Sequence, residues 1–236
     1  MSVYAISDLH LSLDGSKPMD IFGARWDHHA ERLESNWRAL VQPEDWVLIP
    51  GDISWAMKLA DAAQDFAFLD RLPGRKLIGR GNHDYYWLSH QKMQNFLPKS
   101  IQAVDRQAIN TGQFTLVSTK GWLCPGANGY SVSKDEKLYL REVQRLRLVL
   151  EQGKNLGQPL IAMLHFPPMN EKAEVSGFTQ LLDEFHVTLC LYGHLHDPGG
   201  KSGFHGVLHE TQYLLVSADY LQLKPLLLDD WIFTSK

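Results

Sequence analysis

The stretch Lys76-Leu77-Ile78-Gly79-Arg80-Gly81-Asn82-His83-Asp84 decides how this chain folds. It begins with an aliphatic run of the kind that forms a strand. Two glycines then frame an arginine, and an amide, an imidazole and a carboxylate follow. Because glycine permits tight turns and close backbone approach, the stretch predicts a strand that ends in a turn bearing chemically active side chains.

The same arrangement recurs along the chain. Apolar runs precede four further polar blocks: Val3–Ile6 before Asp8, Trp46–Ile49 before Gly51-Asp52, Leu160–Leu164 before His165, and Val187–Leu191 before Gly193-His194. Continuous apolar runs of this length predict strands buried on both faces. Helical spacing of apolar residues lies between them, at Ala30–Val41, Leu59–Leu72, Leu138–Leu150 and, less clearly, Trp87–Phe96. Alternating strands and helices predict an α/β layered fold with its site at the carboxyl ends of the strands.

Composition restricts the class of protein. The chain has 236 residues, 44% of them hydrophobic and 21% charged, and a net charge of −4. These values are ordinary for a soluble globular protein and lack the basic excess typical of proteins that coat nucleic acid. No linker or repeat divides the sequence, so we expect a single domain over residues 1–236. Without a signal peptide or a long apolar span, and with only Cys124 and Cys190 as thiols, we expect a cytoplasmic location, away from membranes.

The polar blocks together supply ligands for metal ions. Asp8 and His10 are two residues apart, as are His194 and His196, so each pair can project to the same side of an extended segment. Across all blocks the inventory is three carboxylates, five imidazoles and one amide. Oxygen and nitrogen ligands without thiolates favour ions such as Mn, Fe, Zn or Co. The sequence therefore predicts two divalent metal ions close enough together to act on a phosphate ester.

The order of the blocks, D-x-H, G-D, G-N-H-D, H and G-H-x-H, resembles the calcineurin-like metallophosphoesterases over about residues 3–197. The resemblance implies a four-layer αββα sandwich with the metal site at the C-terminal ends of the central strands. It also implies two ligand sets that share Asp52. One set is Asp8, His10, Asp52 and His196, and the other is Asp52, Asn82, His165 and His194.

The same resemblance implies a reaction. A hydroxide bridging the two metals would attack the phosphorus of a monoester or diester, and His83 would protonate the leaving group as general acid. Asp84 is the candidate for orienting the His83 ring, since carboxylates commonly orient histidines. The expected partner is a small phosphorylated substrate, and the sequence does not determine the oligomeric state.

One departure concerns the phosphate contact. In the protein-phosphatase branch of this superfamily the glycine-aspartate block continues to an aspartate and an arginine, whereas this chain has Trp55 and Ala56 at those offsets. This argues against a eukaryotic-type protein phosphatase. Arg80 and Lys58 are the candidates for binding phosphate instead.

Two alternatives remain open at the level of sequence. The first is a nuclease or a phosphodiesterase of nucleotides or cyclic nucleotides with the same site, which the acidic net charge disfavours. The second is a protein-binding scaffold without activity, which the complete set of ligands disfavours. Residues 11–30 are a candidate lid over the site, and the segment after Gly199 has no assigned chemistry.

Overall fold

A computed structural model of the protein describes residues 1–156, 159–196 and 203–233. The strands in these ranges are β1 Val3–Ala5, β2 Trp46–Ile49, β3 Arg75–Ile78, β4 Ile101–Ala103, β5 Ala108–Asn110, β6 Thr115–Thr119, β7 Leu160–Leu164, β8 Leu189–Tyr192, β9 Gly206–Leu208, β10 Thr211–Leu215 and β11 Leu226–Leu227. The α-helices are α1 His29–Leu40, α2 Ala63–Arg71, α3 His90–Phe96, α4 Val132–Gly153, α5 Gly177–Glu184 and α6 Asp229–Ile232, and two 3-10 helices span Met19–Phe22 and Ala24–Trp26.

The strands form two sheets with parallel centres. The first has the order β11-β1-β2-β3-β4, in which β1 to β4 are parallel and β11 is antiparallel to β1. The second has the order β5-β6-β7-β8-β10-β9, with β6, β7, β8 and β10 parallel and an antiparallel strand at each edge. All the polar blocks therefore follow parallel strands.

Alternate residues of each strand pack on opposite faces, as the apolar runs predict. In β1 of the first sheet, Val3 and Ala5 pack between the two sheets, against residues of the second sheet such as Ile161 from β7. Tyr4 between them packs in the cluster that contains α1 and α2. The outer face of the second sheet packs against α4 and α5. The expected four-layer αββα arrangement is thus confirmed.

Several boundaries differ from the sequence prediction for local reasons. Helix α2 begins at Ala63 rather than Leu59, because residues 58–62 form turns. Helix α4 begins earlier than Leu138, since its first turns are polar and largely exposed and carry no apolar periodicity. Helix α5 was not predicted, although Ser176 and Thr179 form a capping box at its start.

Helix length and polarity also bear on membrane insertion. Among residues 1–156, 159–196 and 203–233, no helix combines the length and apolar character needed to cross a bilayer. The two thiols, Cys124 and Cys190, are unpaired and buried.

Candidate metal centre

The side chains predicted as metal ligands come together at one edge of the two sheets. From the first sheet, Asp8 follows β1, Asp52 follows β2 and Asn82 follows β3. From the second, His165 follows β7, and His194 and His196 follow β8. The sheets meet here directly, since Ser7 forms a parallel bridge with Ser217. Residues far apart in sequence converge because parallel strands place their carboxyl ends at a common edge.

The backbone at this edge is held in a conformation that disfavours ordinary residues. Asp8, His10, Asp52 and His194 have φ angles of 58°, 47°, 52° and 73°. Left-handed backbone in non-glycine residues is costly and concentrates at functional sites. One glycine makes close packing possible, because a Cβ on Gly81 would lie 2.0 Å from Asp52 Oδ1. The strained backbone at these four residues therefore directs their side chains toward a common point.

We call Asp8, His10 and His196 the first half of the centre. The Nε2 atoms of His10 and His196 are 3.1 Å apart, and His196 Nε2 lies 3.5 Å from Asp8 Oδ1. Asp8 is fixed from behind, because the His194 backbone N–H lies 3.0 Å from both of its oxygens and Ser217 Oγ donates to Oδ2 at 3.1 Å. The first half thus presents one carboxylate and two imidazoles to a common point.

We call Asn82, His165 and His194 the second half. Asn82 Oδ1 lies 2.6 Å from His165 Nε2 and 2.8 Å from His194 Nδ1. The other ring nitrogen of His165, Nδ1, is 3.2 Å from the Pro50 carbonyl oxygen and donates to it. This bond sets the ring orientation, so that Nε2 points at the amide oxygen.

Asp52 lies between the two halves. Its Oδ2 is 3.4 Å from His165 Nε2 and 3.9 Å from His10 Nε2, and Asp8, Asp52 and His165 also form a compact group. Its Oδ1 accepts the backbone N–H of His83 at 2.8 Å. Oδ2 is buried and forms no hydrogen bond within the described residues. A buried carboxylate oxygen needs positive charge beside it, and here either a protonated His165, whose pKa the charge of Asp52 raises against the effect of burial, or a bound cation can supply that charge.

The donor atoms fit divalent cations. Ligand atoms that bind one ion at about 2.1 Å from it lie roughly 3 Å from one another, and the closest contacts between donors here, 2.6 to 3.5 Å, are of that order. Imidazole nitrogens and carboxylate and amide oxygens suit Mn, Fe, Zn and Co.

Electrostatics keep two of the imidazoles in the form that binds metal. Burial lowers the pKa of His10 to about 3 and that of His194 to about 3, so both rings are neutral at pH 7. His196 differs. Burial disfavours its charged form, but hydrogen bonds to Asp219 and Asp8 raise its pKa to about 10. His196 must therefore release a proton before it can bind a cation.

Asp219 is a residue of the site that the sequence analysis missed. It follows β10, and its Oδ1 is 3.0 Å from His196 Nδ1. Its other oxygen, Oδ2, pairs with Arg25 Nε at 3.3 Å, and the carboxylate is only 2% exposed. Carboxylates in this position fix the tautomer and orientation of a metal-binding histidine. The sequence did contain a signal for Asp219, because this aspartate follows a strand, as Asp8 and Asp52 do.

The predicted pairing of Asp84 with His83 is wrong. Asp84 Oδ2 accepts the backbone N–H groups of Asp52 at 2.9 Å and Gly81 at 2.7 Å. Its Oδ1 accepts from the Ile53 N–H and the Tyr86 hydroxyl, at 2.9 and 2.8 Å. With four donors around it, the carboxylate joins the turns after β2 and β3, and within the described residues His83 Nδ1 has no hydrogen-bond partner. Asp84 therefore stabilises the backbone conformation that positions Asp52.

The two candidates for phosphate binding occupy different environments. Lys58 is exposed in the turns before α2. Arg80 is half-buried, and its Nε is buried with no hydrogen-bond partner in the described part of the chain. A further cation, Lys120, is near enough to Arg80 for their charges to interact. Burial lowers the pKa of Lys120, and the neighbouring charges of Glu142 and Arg80 act on it in opposite directions. Of the two candidates for phosphate binding, Arg80 is therefore the one with a buried guanidinium nitrogen, whereas Lys58 is exposed.

Residues 19–26 cover the first half. Trp26 is buried and packs edge-on against His10 and His196, with ring centroids 5.9 and 5.7 Å apart. Trp55, from the position where a protein phosphatase has an acidic residue, stacks on His10 at 4.7 Å. Trp55 Nε1 also donates to Met19 Sδ at 3.0 Å. Part of the candidate lid therefore packs directly on the rings of His10 and His196, two of the candidate metal ligands.

Two cavities adjoin the centre on different sides. One, of about 180 Å³, reaches His10, His83 and His196 beneath the covering segment. The other, of about 170 Å³, reaches His194 and is lined by apolar residues such as Leu123 and Met169 and by polar residues that include Asn128 and Asn170.

Comparisons with known proteins agree with this geometry. The family model described as calcineurin-like phosphoesterase matches residues 1–198. The solved structures that resemble the chain include a phosphopantetheinyl hydrolase from Mycobacterium tuberculosis, with 18% identity, a TM-score of 0.57, and coverage of 94% of this chain and 90% of that one. A protein of unknown function from Aquifex aeolicus has 16% identity, a TM-score of 0.52, and coverage of 96% and 95%. No curated relative matches the chain.

Asp219 lies beyond the residues that the family model matches. The structural neighbours show a shared fold, whereas the family match spans most of the sequence and contains all five polar blocks. With Asp and His side chains grouped as metal ligands at the predicted edge, the chain belongs to the calcineurin-like phosphoesterases and is a metal-dependent phosphoester hydrolase.

Proposed function

We propose that the centre holds two divalent cations, one in each half, and that it hydrolyses phosphate monoesters or diesters of small molecules. The observation that carries this proposal is Asp52 Oδ2, which is buried, lacks a hydrogen bond within the described residues, and lies 3.4 and 3.9 Å from one histidine of each half. A carboxylate in that position can serve two cations. When bound, such a pair supplies a nucleophile from water at neutral pH and neutralises charge on the phosphoryl oxygens.

In this proposal one set of side chains binds the two cations, and other groups orient the histidines of that set. Asp8, His10, Asp52 and His196 hold one cation. Asp52, Asn82, His165 and His194 hold the other. The Pro50 carbonyl oxygen orients His165, and Asp219 orients His196. Because these contacts exist before any substrate binds, little rearrangement is needed at the moment of reaction.

His83 is the proposed proton donor to the leaving oxygen. Its backbone N–H is anchored on Asp52, and its ring lies 4.4 Å from the Trp55 ring and 5.7 Å from the His10 ring. Burial lowers the pKa of His83, although the charge of Asp52 opposes this. A lower pKa makes the imidazolium a stronger acid but reduces the fraction that is protonated at neutral pH, so we expect the rate on a poor leaving group to rise as the pH falls.

The first test is hydrolysis of a nitrophenyl phosphate monoester and a bis-nitrophenyl diester, with Mn²⁺ and after removal of metal by a chelator. We expect cleavage that is lost on chelation and restored by metal, with two ions bound per chain. Two bound ions without cleavage of either ester would count against the reaction, and a chain that binds no metal would overturn the whole proposal.

The role of His83 is tested by replacing it with alanine. We expect His83→Ala to retain both metal ions and to lose far more activity on alkyl phosphates than on nitrophenyl phosphates, because only a poor leaving group needs a proton. Loss of a metal ion in this variant would make His83 a ligand instead.

One observation favours a phosphodiesterase as the second candidate. Cavities adjoin the centre on both sides, at His83 and at His194. A phosphodiester has two organic groups, and each could occupy one cavity. Under this alternative, the ratio of diester to monoester cleavage in the first test would be high, and a nucleotide diester would be a better substrate than a nucleotide monoester.

A further inference from the structure

The cavity beside His83 is lined mainly by aromatic rings. Met19, Phe22, Trp26 and Trp55 contribute a thioether and three aromatic rings, and the charge of the lining residue Arg25 is paired with Asp219. His10, His83 and His196 complete the lining and belong to the proposed catalytic and metal-binding groups. The cavity thus connects an aromatic surface directly to the reacting centre.

The aromatic walls are largely fixed before a ligand arrives. Trp26 is 2% exposed and packs against His10 and His196. Trp55 stacks on His10, and its Nε1 donates a hydrogen bond to Met19 Sδ. Phe22 is the exception, because it is 47% exposed while its ring lies nearly parallel to that of Trp55, with an interplanar angle of 17°. An exposed aromatic ring at the rim of a cavity is available to contact a ligand.

Size limits what this cavity can hold. Its volume is about 180 Å³, and an apolar cavity of about 150 Å³ is known to accommodate one benzene molecule. The volume of the cavity therefore matches one six-membered ring. Aromatic walls also favour a flat ring over a saturated one, since offset and edge-to-face contacts add to the effect of burial.

Position decides which part of a substrate enters. His83 is the proposed donor to the leaving oxygen, so a group in the cavity beside it is attached to that oxygen. We propose that the cavity binds the leaving group, and that the preferred substrates are phosphoesters whose leaving alcohol carries a single aromatic ring. This inference rests on the proposed function of the site.

The reaction itself is ordinary hydrolysis. The oxygen of water forms the new bond to phosphorus, the ester P–O bond breaks, and the leaving alkoxide takes a proton from His83. A proton released by the attacking water restores the protonated His83 through the solvent, so water is the only co-reactant consumed.

The test compares 2-phenylethyl, 2-cyclohexylethyl and n-propyl phosphates, or their methyl diesters if the enzyme cleaves diesters. All three leaving groups are primary alkoxides of similar basicity, so differences in kcat/KM report binding rather than intrinsic reactivity. We expect the phenylethyl ester to exceed the propyl ester by roughly tenfold, with the cyclohexylethyl ester between them. Equal values for the phenylethyl and cyclohexylethyl esters would overturn the preference for a flat ring.

Variants locate the preference in the cavity. Phe22→Ala should raise KM for the phenylethyl ester several-fold more than KM for the propyl ester, and should retain the metal content of the wild type. Ile21→Ala is the matched control, because Ile21 is 68% exposed on the same 3-10 helix and does not line the cavity. An unchanged ester preference in Phe22→Ala would overturn this inference while leaving the proposed function intact. Failure to cleave any of the esters, or the nitrophenyl phosphates, would instead count against the proposed function.

Discussion

The two halves of the metal centre are held in place by different kinds of contact. In the second half, His165 is oriented by the backbone carbonyl of Pro50, at the end of β2. In the first half, His196 is oriented by a side chain, the carboxylate of Asp219. A backbone contact persists whatever the sequence at that position, whereas a side-chain contact is lost with one substitution. The first half is therefore the one that a single change outside the ligands can disable.

The halves also differ in what covers them. The rings of Trp26 and Trp55 pack on His10 and His196, and Arg25 joins the covering segment to Asp219. In the second half, Phe166 packs on His194, with ring centroids 4.1 Å apart. In the first half, residues 19–26 pack on His196 and are joined through Arg25 to Asp219, which orients His196. A substitution in this connected group is therefore expected to change both metal binding and substrate selection.

The largest effect is expected where the halves meet. Asp52→Asn keeps the shape of the side chain and the acceptor for the His83 N–H, but removes the charge that both cations would share. We expect activity at background and loss of both metal ions, measured by metal analysis of the purified protein. Asp61→Asn, an exposed change in the turns before α2, is the charge control. Two ions retained in Asp52→Asn would refute the bridging role.

Removal of the amide should affect the second half alone. Asn82→Ala takes away the oxygen that faces His165 and His194. We expect binding to fall to about one ion per chain, with activity strongly reduced, because a single ion cannot clamp both oxygens of the displacement. Asn82→Asp restores an oxygen at the same place and should recover the second ion. Unchanged titration curves for Asn82→Ala would assign the amide a structural role.

Loss of the positioning carboxylate should affect the first half. Asp219→Asn weakens the hold on His196 Nδ1, and changes of this kind cost about 10- to 100-fold in metal affinity or activity. We expect one of two binding steps in a metal titration to weaken while the other stays as in the wild type. Asp20→Asn, on the exposed covering segment, is the control for charge. Equal weakening of both steps would show that the halves are not independent.

The smallest effects concern phosphate binding. Arg80→Ala removes a cation whose Nε is buried and lacks a hydrogen bond within the described residues, and we expect KM to rise roughly tenfold, as for loss of a charge-assisted hydrogen bond. Lys58→Ala removes an exposed charge, and we expect kcat and KM to stay within about twofold of the wild type. The reverse order of effects would move the phosphate contact from Arg80 to Lys58.

Local patterns in the sequence are enough to predict the layered fold and the edge at which the polar blocks meet. Apolar runs mark β1, β2, β3, β7 and β8 because a strand buried on both faces must be apolar throughout its length. The blocks follow these strands, and parallel strands bring their carboxyl ends together. Short antiparallel edge strands such as β5 and β9 escaped prediction, since three residues are too few to show a period.

The sequence by itself therefore determined the strands that precede the polar blocks, the edge and the types of side chain available there, because these depend on residues close together along the chain. Only the tertiary structure decided how those side chains are used. Asp84 stands next to His83 in sequence, yet its oxygens bond to backbone groups brought near by β2. Asp219, 23 residues from His196, completes the first half. Hydrogen-bond partners are chosen by distance in space, and that distance is set only when the two sheets pack together.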